Sequence, residues 1–198
     1  MRVTCEFSVV SLFDESIFNL FKENTNDAIT QINKIREKDI YSINEEEYLK
    51  ELVSDYSIEY PSLDFESITQ NSKYDEDLQK NKDVLHVKFY IKYDGWFNNF
   101  GYGPSDFEGF KNQVRLSNEN SSELSFHVID SENNPEMVKE MYLNIKSTFE
   151  ENYPKILSEI KEYNSKLEET LSPILKEKME RVNRIKKLDE VLGIPKRN

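Results

Sequence analysis

The amino-acid sequence predicts an α+β protein: a small, mainly antiparallel sheet with packed helices, followed by a long C-terminal helical hairpin or arm. Residues 84–95 alternate apolar and polar side chains, which is typical of a strand with one face in water. Residues 112–130 hold two shorter strand patterns around a cluster of turn-forming residues. After Pro135 the apolar spacing becomes that of helices. This change predicts a sheet domain at 1–134 and a helical hairpin or arm at 135–198.

The overall composition is that of a folded protein. Aromatic residues make up 12% of the 198 residues, although the mean hydropathy of −0.74 is polar. A chain of this length buries a sizeable core as one large domain, alone or with a helical arm. The start of the sequence lacks the pattern of a secretion signal, and no apolar run approaches the roughly 18 residues of a membrane span. We therefore expect a cytoplasmic protein that does not enter a membrane.

The first part of the chain predicts one strand and two helices. "VTCEFSVV", residues 3–10, alternates as a strand does, and the lone Cys5 is expected to be a buried, inert thiol. Helical spacing follows in residues 14–39. "NEEEYLKELVSDY" predicts a second helix with Asn44 as its N-cap and three glutamates where the helix dipole favours them. The acidic, turn-rich residues 56–81 predict a long connection with a short edge strand at most.

Three segments predict the main strands of the sheet. In residues 84–95 the side chains expected on the apolar face are Leu85, Val87, Phe89, Ile91 and Tyr93. Those expected on the polar face are His86, Lys88, Tyr90 and Lys92. "NQVRLS" and "ELSFHVID" predict two more strands, the second with Leu124, Phe126, Val128 and Ile129 as its apolar residues. The turn cluster "SNENS" between them, Ser117 to Ser121, predicts that these two strands form a hairpin.

The C-terminal segment predicts long helices. "NYP", ending at Pro154, is expected to break the first helix, and Pro173 predicts a kink or two helices in series. A heptad pattern runs through Leu157, Ile160, Leu167, Leu171, Ile174, Ile185, Leu188 and Leu192, with polar gaps at Asn164, Lys178 and Arg181. Such a pattern fits a helix packed on its own sheet or bundle, or a coiled-coil homodimer. Gly193 and Pro195 are expected to end the helix.

Glycine and aromatic residues gather in "DGWFNNFGYGPSDFEGF", Asp94 to Phe110, which holds four of the five glycines and the only tryptophan. The glycines predict a sharply bending loop after the strand. Its aromatic side chains either close one end of the core or form an exposed patch for a partner. The candidate partner-binding residues of this loop are Trp96, Phe97, Phe100 and Tyr102.

Charge is distributed unevenly along the chain. The formal net charge is −12, yet residues 176–198 hold eight Lys/Arg and four Asp/Glu, a local +4. The other 175 residues are therefore at −16, which disfavours broad contact with nucleic acid. The basic segment either binds an acidic partner or is a solvated helix face. The candidate contact residues of this segment are Arg181, Arg184, Lys186 and Lys187.

Patterns for catalysis are weak. His86 and His127 both project from predicted strands, and with Asp94 or Asp130 they would offer metal ligands, but without the tight spacing of metal sites. "DVLHVK", Asp83 to Lys88, places histidine where metal-dependent nucleases need an acid, and an amphipathic strand explains it better. The sequence therefore predicts no catalytic residue, no metal ligand set and no cofactor.

One resemblance adds to these patterns. The order "KFYIKYDGWFNNFGYGPSDF", a short hairpin, and long charged helices ending "RVNRIKKLDEVLGIPKR" resembles an accessory domain of bacterial anti-phage defence proteins. The shared motifs are a "G…F…PS" turn after a strand and the "LGIP" plus basic ending, and they span Val84 to Arg197. This resemblance implies a sensing or docking unit that works with a separate effector, and it carries over no catalytic residue.

These observations predict a non-enzymatic interaction or regulatory subunit of a larger assembly. Its expected partner is a protein or a separate effector subunit, with a homodimer through the C-terminal helix as a further arrangement. Two alternatives stay open: a metal-dependent nuclease or hydrolase using His86, His127 and nearby acids, and a nucleic-acid binder using the basic segment from Lys176 to Asn198.

Overall fold

A computed structural model describes residues 9–77, 82–108, 114–130 and 134–193. The described residues form two compact units. Unit 1 comprises the residues up to Phe18 and those from Glu59 to Glu159, and unit 2 comprises Asn19–Ile58 and the residues from Ile160 onward. These units are not the predicted segments 1–134 and 135–198, which divide the chain by element type rather than by contacts.

Unit 1 is built on a five-stranded antiparallel sheet, which confirms the predicted fold class. The strands in the described residues are β1 (Val9–Ser11), β2 (Glu15–Ser16), β3 (Ser62–Asp77), β4 (Lys82–Asp94), β5 (Tyr102–Gly103), β6 (Arg115–Asn120) and β7 (Glu123–Asp130). The order in the main sheet is β1-β6-β7-β4-β3, and β2 pairs with β5 in a small parallel pair. Of the N-terminal strand predicted over residues 3–10, Val9 and Val10 lie in β1, whereas residues 3–8, including Cys5, lie outside the described residues.

Strand β4 has the predicted alternation because each residue on its apolar face meets the core. Leu85, Val87, Ile91 and Tyr93 are buried, and Phe89 is half-buried. On the opposite face His86, Lys88 and Tyr90 are half-buried and Lys92 is exposed. The two faces therefore differ as expected for an antiparallel sheet with one polar face.

Strand β3 corrects the sequence-based prediction for residues 56–81. These residues were expected to form a connection with a short edge strand, but β3 is 16 residues long and lies at the edge of the sheet. It pairs with β4 from Ser62 to Asp77, with an irregularity between Asp64 and Thr69. Pairing with a strongly alternating neighbour stabilises a polar strand that has few apolar residues of its own.

The predicted hairpin is confirmed as β6 and β7, which pair antiparallel. Most of the cluster Ser117 to Ser121 belongs to β6, and the turn itself lies at Ser121 and Ser122. The side-chain oxygen of Asn120 accepts a hydrogen bond from the Ser122 N–H at 3.0 Å, and this bond stabilises the turn. In β7, Leu124, Phe126 and Val128 are buried whereas Ile129 is exposed.

One helix covers the apolar face of the sheet in unit 1. It is the first part of the C-terminal helix α4 (Pro135–Leu192), and its buried residues there include Val138, Ile145 and Phe149. The ring of Phe89 stacks on Tyr142 with 5.4 Å between the centroids, and Phe65 meets Phe149 at 5.7 Å. The aromatic content of the sequence is thus used largely in this interface.

Unit 2 is helical. Its elements are most of α1 (Ile17–Lys34), α2 (Glu37–Ile40), α3 (Glu45–Tyr56) and the second part of α4. The side chain of Asn44 accepts a hydrogen bond from the Glu46 N–H at 3.1 Å, so its predicted role as the N-cap is confirmed. The core consists of Ala28, Ile32, Leu49, Leu52, Leu167, Leu171 and Leu175.

Helix α4 corrects the prediction for the C-terminal segment. It is one helix of 58 residues that continues through Pro154 and Pro173, so the break at "NYP", the hairpin and the two helices in series are wrong. Each proline removes a single backbone donor. Buried residues flank each one, Asn152 and Ile156 around Pro154 and Leu171 and Leu175 around Pro173, so packing holds the helix together across the gap. Gly193 ends the helix with a φ of +59°, as predicted; Pro195 lies outside the described residues.

The polar gap at Asn164 in the heptad has a structural cause. Its side-chain oxygen accepts the Ile58 N–H and its amide donates to the Ile58 carbonyl, both at 3.0 Å. Ile58 lies two residues after the end of α3, and both of its backbone hydrogen-bonding groups are therefore satisfied by one side chain of α4.

Candidate partner-contact surfaces

The aromatic loop of unit 1 follows β4 and folds back on the core. Gly95 begins it with a φ of +105°, and a Cβ there would lie 3.0 Å from the Pro61 Cα. A 3-10 helix, Phe97–Gly101, then places two phenylalanines inward. Phe100 is fully buried, with its ring centroid 5.8 Å from that of Tyr93. The loop therefore closes one end of the core through these side chains.

Glycine in this loop permits close approach of backbone to side chains. A Cβ on Gly103 would lie 2.9 Å from the Phe13 Cβ and 3.2 Å from the Phe107 ring, and one on Gly101 would lie 3.1 Å from Val10. The rings of Phe13 and Phe107 meet edge to face at 5.2 Å. The concentration of glycine among aromatic residues is thus a packing requirement.

Of the four candidate contact residues in this loop, one stands clearly at the surface. Phe97 and Phe100 lie in the interior of unit 1, so they form part of its core rather than a contact surface. Tyr102 is half-buried, and its carbonyl accepts the Tyr60 hydroxyl hydrogen bond at 2.7 Å. Trp96 is 76% exposed. Phe110, the last residue of the segment, lies outside the described residues.

The end of α4 in unit 2 carries an exposed apolar patch. Leu188, Val191 and Leu192 are 55%, 76% and 54% exposed. Their spacing of three and four residues places them on one face of the helix. Ile185, half-buried, lies three residues before Leu188 and joins the patch to the buried Val182.

Three of the four basic candidates accompany this patch. Arg181, Arg184 and Lys187 are spaced by three residues, and Arg184 precedes Leu188 by four, so these cations lie beside the apolar side chains. All three are exposed. We call the combined set the α4-end surface: Arg181, Arg184, Lys187, Leu188, Val191 and Leu192.

Lys186 belongs to a different face of the helix. Its Nζ lies 4.9 Å from the centroid of the Tyr41 ring and 3.9 Å from a Glu190 oxygen. Arg184 is held by Glu180 at 2.9 Å. Within the described part of the chain, no carboxylate lies within 4 Å of the Arg181 or Lys187 side chain. Two cations of the α4-end surface therefore remain available to an acidic partner.

A small open depression of about 110 Å³ lies in unit 2. Its lining consists of Asn33, Ile174, Glu177, Lys178 and Arg181. Lys178 donates to the Asn33 carbonyl at 3.2 Å, which occupies part of this polar lining. Sites for drug-sized ligands usually measure about 300–1,000 Å³, so this depression suits a single side chain of a partner better than a cofactor.

The two histidines lie on the polar face of the sheet, in β4 and β7. His86 is paired in register with Ile129, and His127 with Lys88. Burial, and then the charge of Lys88, lower the pKa of His127 below its usual range. Over the described residues, no group of three or more His, Cys, Asp or Glu side chains is placed to hold a metal ion.

An ion pair occupies the centre of this polar face. Lys88 Nζ lies 2.7 Å from Glu119 Oε1, and the Ser125 hydroxyl donates to the same oxygen at 2.5 Å. Hydrogen bonds from Lys88 and Ser125 hold the pKa of Glu119 below its usual range. Ser125 is fully buried. Because Lys88, Glu119 and Ser125 lie in β4, β6 and β7, these charge-assisted hydrogen bonds connect three strands.

Sequence reasoning missed the exposure of the α4-end surface. Leu188 and Leu192 fit a heptad that predicts either a packed helix or a coiled-coil homodimer, and Val191 lies outside that heptad. A signal was present, because basic residues at Arg184 and Lys187 lie on the same helical face as Leu188, where a buried stripe would be free of charge.

Comparison with known proteins finds no matching protein family, no curated protein similar in sequence and no solved structure similar in fold. Among the described helices, none combines the length and the apolar character that crossing a bilayer requires.

Proposed function

We propose that this chain is a non-enzymatic interaction or regulatory subunit that docks on a separate protein through the α4-end surface. The observation that carries the proposal is the side-by-side exposure of Leu188, Val191 and Leu192 at the end of a helix whose earlier turns are packed. Burying apolar surface gains about 25 cal/mol per Å², so a partner that covers the exposed parts of all three side chains has a source of affinity.

The charges around the patch indicate the chemistry of the partner. Arg181 and Lys187 flank the apolar side chains, and the segment 176–198 carries a local +4. A surface with an apolar centre and an acidic rim complements this arrangement. The rest of the chain is at −16, so contact outside the α4-end surface is repulsive for an acidic partner and orients the docking.

Residues Val84 to Arg197 resemble an accessory domain of anti-phage defence proteins, and this resemblance supports a role in such a defence system. In that setting the partner is an effector protein and this chain senses or regulates it. The exposed Trp96 of unit 1 serves as a second contact, since tryptophan is enriched among the residues that dominate interfaces.

The proposal is tested with proteins encoded by neighbouring genes. Each is co-purified with the chain, and the affinity of any complex is measured by isothermal titration calorimetry. The double variant Leu188→Ser with Val191→Ser is expected to bind at least tenfold more weakly. The matched control is Leu143→Ser with Leu157→Ser, two leucines of the same helix that are 47% and 40% exposed.

Two outcomes would contradict the proposal. One is an affinity that the Leu188 and Val191 variant leaves unchanged. The other is a chain that binds none of these proteins but self-associates, with a dimer that the same variant dissociates; this result would assign the surface to a homodimer. Binding to RNA or DNA that weakens steeply with salt would instead favour the nucleic-acid alternative.

A further inference from the structure

We propose that the partner contacts this chain with an amphipathic helix that carries a glutamate two helical turns away from its apolar contacts. The apolar side chains of that helix cover Leu188 and Leu192, and its glutamate binds beside Arg181 in the depression of unit 2. This inference rests on the proposed function, because it uses the α4-end surface. It adds which secondary structure and which side chain the partner presents there.

The heptad of α4 contains two basic residues, Lys178 and Arg181, between Ile174 and Ile185. Lys178 is half-buried and donates to the Asn33 carbonyl of α1 at 3.2 Å, so its position has a cause within this chain. Arg181 is exposed, and within the described residues no carboxylate lies within 4 Å of its side chain. A polar residue in such a seam fixes the register and the identity of a facing helix. Arg181 therefore indicates a facing helix with an acid at the matching position.

The depression at this point has the size and the donors for one acidic side chain. It measures about 110 Å³, and its lining has two cations, Lys178 and Arg181, and one carboxylate, that of Glu177, a formal +1. The Arg181 guanidinium is a planar fork of N–H donors that matches a carboxylate, and the Lys178 ammonium has donors besides the one that binds the Asn33 carbonyl. The half-buried Ile174 offers apolar contact to methylene groups. Glutamate fits this lining better than aspartate, because its longer stem passes over Ile174 before the carboxylate meets the cations.

The distance between the depression and the apolar side chains selects a helix as the occupant. Arg181 and Leu188 are seven residues apart, which is about 10.5 Å along the axis of α4. A helix lying along α4 matches this distance with a glutamate and an apolar residue seven positions apart, on one face. An extended segment covers the same distance in about three residues, which places the two side chains on opposite faces.

Charge argues against a second copy of this chain as the occupant. A parallel pair of α4 helices would place the two Arg181 side chains opposite each other, and like charges in facing positions repel. An antiparallel pair centred on Leu188 would bring Arg181 to the region after Leu192, where the sequence reads "GIPKRN" and contains no acid. The acid that Arg181 requires therefore comes from a different protein.

The test uses the whole chain and a designed helical peptide. The peptide has leucines along the middle of a heptad seam and a glutamate at each end of that seam, so either orientation places one glutamate against Arg181. Its matched control has glutamine at both ends. We expect the glutamate peptide to bind the wild-type protein at least tenfold more tightly than the glutamine peptide by calorimetry, and Arg181→Gln to abolish this difference. Lys161→Gln removes an exposed cation elsewhere on α4 and is expected to retain it.

Charge reversal provides a second measurement. Arg181→Glu is expected to bind a peptide with lysine in place of glutamate more tightly than the glutamate peptide. A preference for glutamate that persists in this variant would contradict the inference, as would a glutamate peptide that does not bind the wild-type protein.

The outcomes also separate this inference from the proposed function. Equal affinities of the glutamate and glutamine peptides, both lost in the double variant Leu188→Ser with Val191→Ser, would overturn the glutamate assignment and leave the docking surface in place. Peptide binding that the double variant does not weaken would overturn both. A peptide-free dimer that the double variant dissociates would assign the surface to a second copy and would likewise overturn both.

Discussion

At Gly103 the missing side chain is what lets β5 lie against two aromatic rings. Phe13 and Phe107 occupy the space that a Cβ would need, at 2.9 and 3.2 Å. The packing of the aromatic loop therefore depends on individual glycines. Because these glycines have no Cβ, aromatic rings can pack directly against the loop backbone.

Replacing Gly103 by alanine is expected to destabilise unit 1. The added methyl group forces the loop away from Phe13, and overpacking of this kind costs about 1–3 kcal/mol. Urea unfolding monitored by circular dichroism measures the loss. Gly193→Ala is the comparison, because nothing lies within 4 Å of its Cβ and its cost comes only from its φ of +59°; unchanged stability of Gly103→Ala would show that the loop does not need the space at Gly103.

Glu119 makes stability depend on pH. Its pKa is lowered in the folded chain by hydrogen bonds from Lys88 and Ser125, so its contribution is present above its unfolded pKa and is lost as the pH falls through the folded value. Glu119→Gln is expected to cost about 1–3 kcal/mol at pH 7 and to flatten the loss of stability below about pH 4.5. Thermal unfolding at pH 7 and at pH 3 checks both effects.

His127 provides a comparison in a different pH range. Its pKa is lowered by burial and by Lys88, so protons bind the unfolded chain better and stability falls as the pH drops below about 6.5. His127→Gln removes that fall and leaves the effect of Glu119 in place. If both variants changed the same pH range, the assignment of the two groups would be wrong.

At the scale of elements, α4 shows how packing overrides a local signal. Pro154 and Pro173 are both exposed, yet the helix continues through them because buried residues on either side keep it in place. Each of these prolines removes one backbone hydrogen bond of the helix. The packing contacts of the neighbouring buried residues remain.

Replacing Pro173 by alanine is expected to raise the free energy of unfolding by about 1–3 kcal/mol. The substitution restores a backbone donor and loses little packing, since the ring is exposed. Pro154→Ala in unit 1 is the matched change, and the double variant is expected to show the sum, because distant sites are additive. Chemical denaturation measures both; a decrease in stability would mean that the proline shapes a bend on which the packing relies.

At the scale of the whole molecule, acidic residues outnumber basic ones, 38 to 26. A net charge of −12 destabilises the folded chain by self-repulsion. The exposed i,i+4 ion pairs, such as Lys50 with Glu46, oppose this only weakly, because such pairs are worth about 0.5 kcal/mol or less.

Salt is therefore expected to stabilise this protein. Raising the ionic strength to about 0.15 M shortens the Debye length to about 8 Å and screens the repulsion. We expect a gain of about 1 kcal/mol, or about 2–4 °C in Tm, by differential scanning calorimetry. Choline chloride should act like sodium chloride, which separates screening from ion binding. A lower Tm in salt would show that the ion pairs outweigh the repulsion.

The success of sequence reasoning followed the strength of each local pattern. The alternation of β4, the Asn44 cap and the β6–β7 hairpin were predicted because each depends on a few neighbouring residues. Strand β3 was not, since its polar residues acquire strand structure only by pairing with β4. The basic residues of the α4-end surface were predicted as contacts, whereas Leu188 and Leu192 were placed in a heptad that fitted either a packed helix or a coiled-coil homodimer.

By itself, the sequence determined the α+β class, the antiparallel hairpin of β6 and β7 and the helical nature of the C-terminal third, because periodicity and turn residues act over short distances. Only the tertiary structure decided which apolar residues are covered. Phe100 is buried and Trp96 is exposed within the same loop, and Leu171 is buried whereas Leu188 is exposed on the same helix. The physical reason is that burial depends on what another part of the chain places opposite a residue, and the residue's own neighbours in sequence do not encode it.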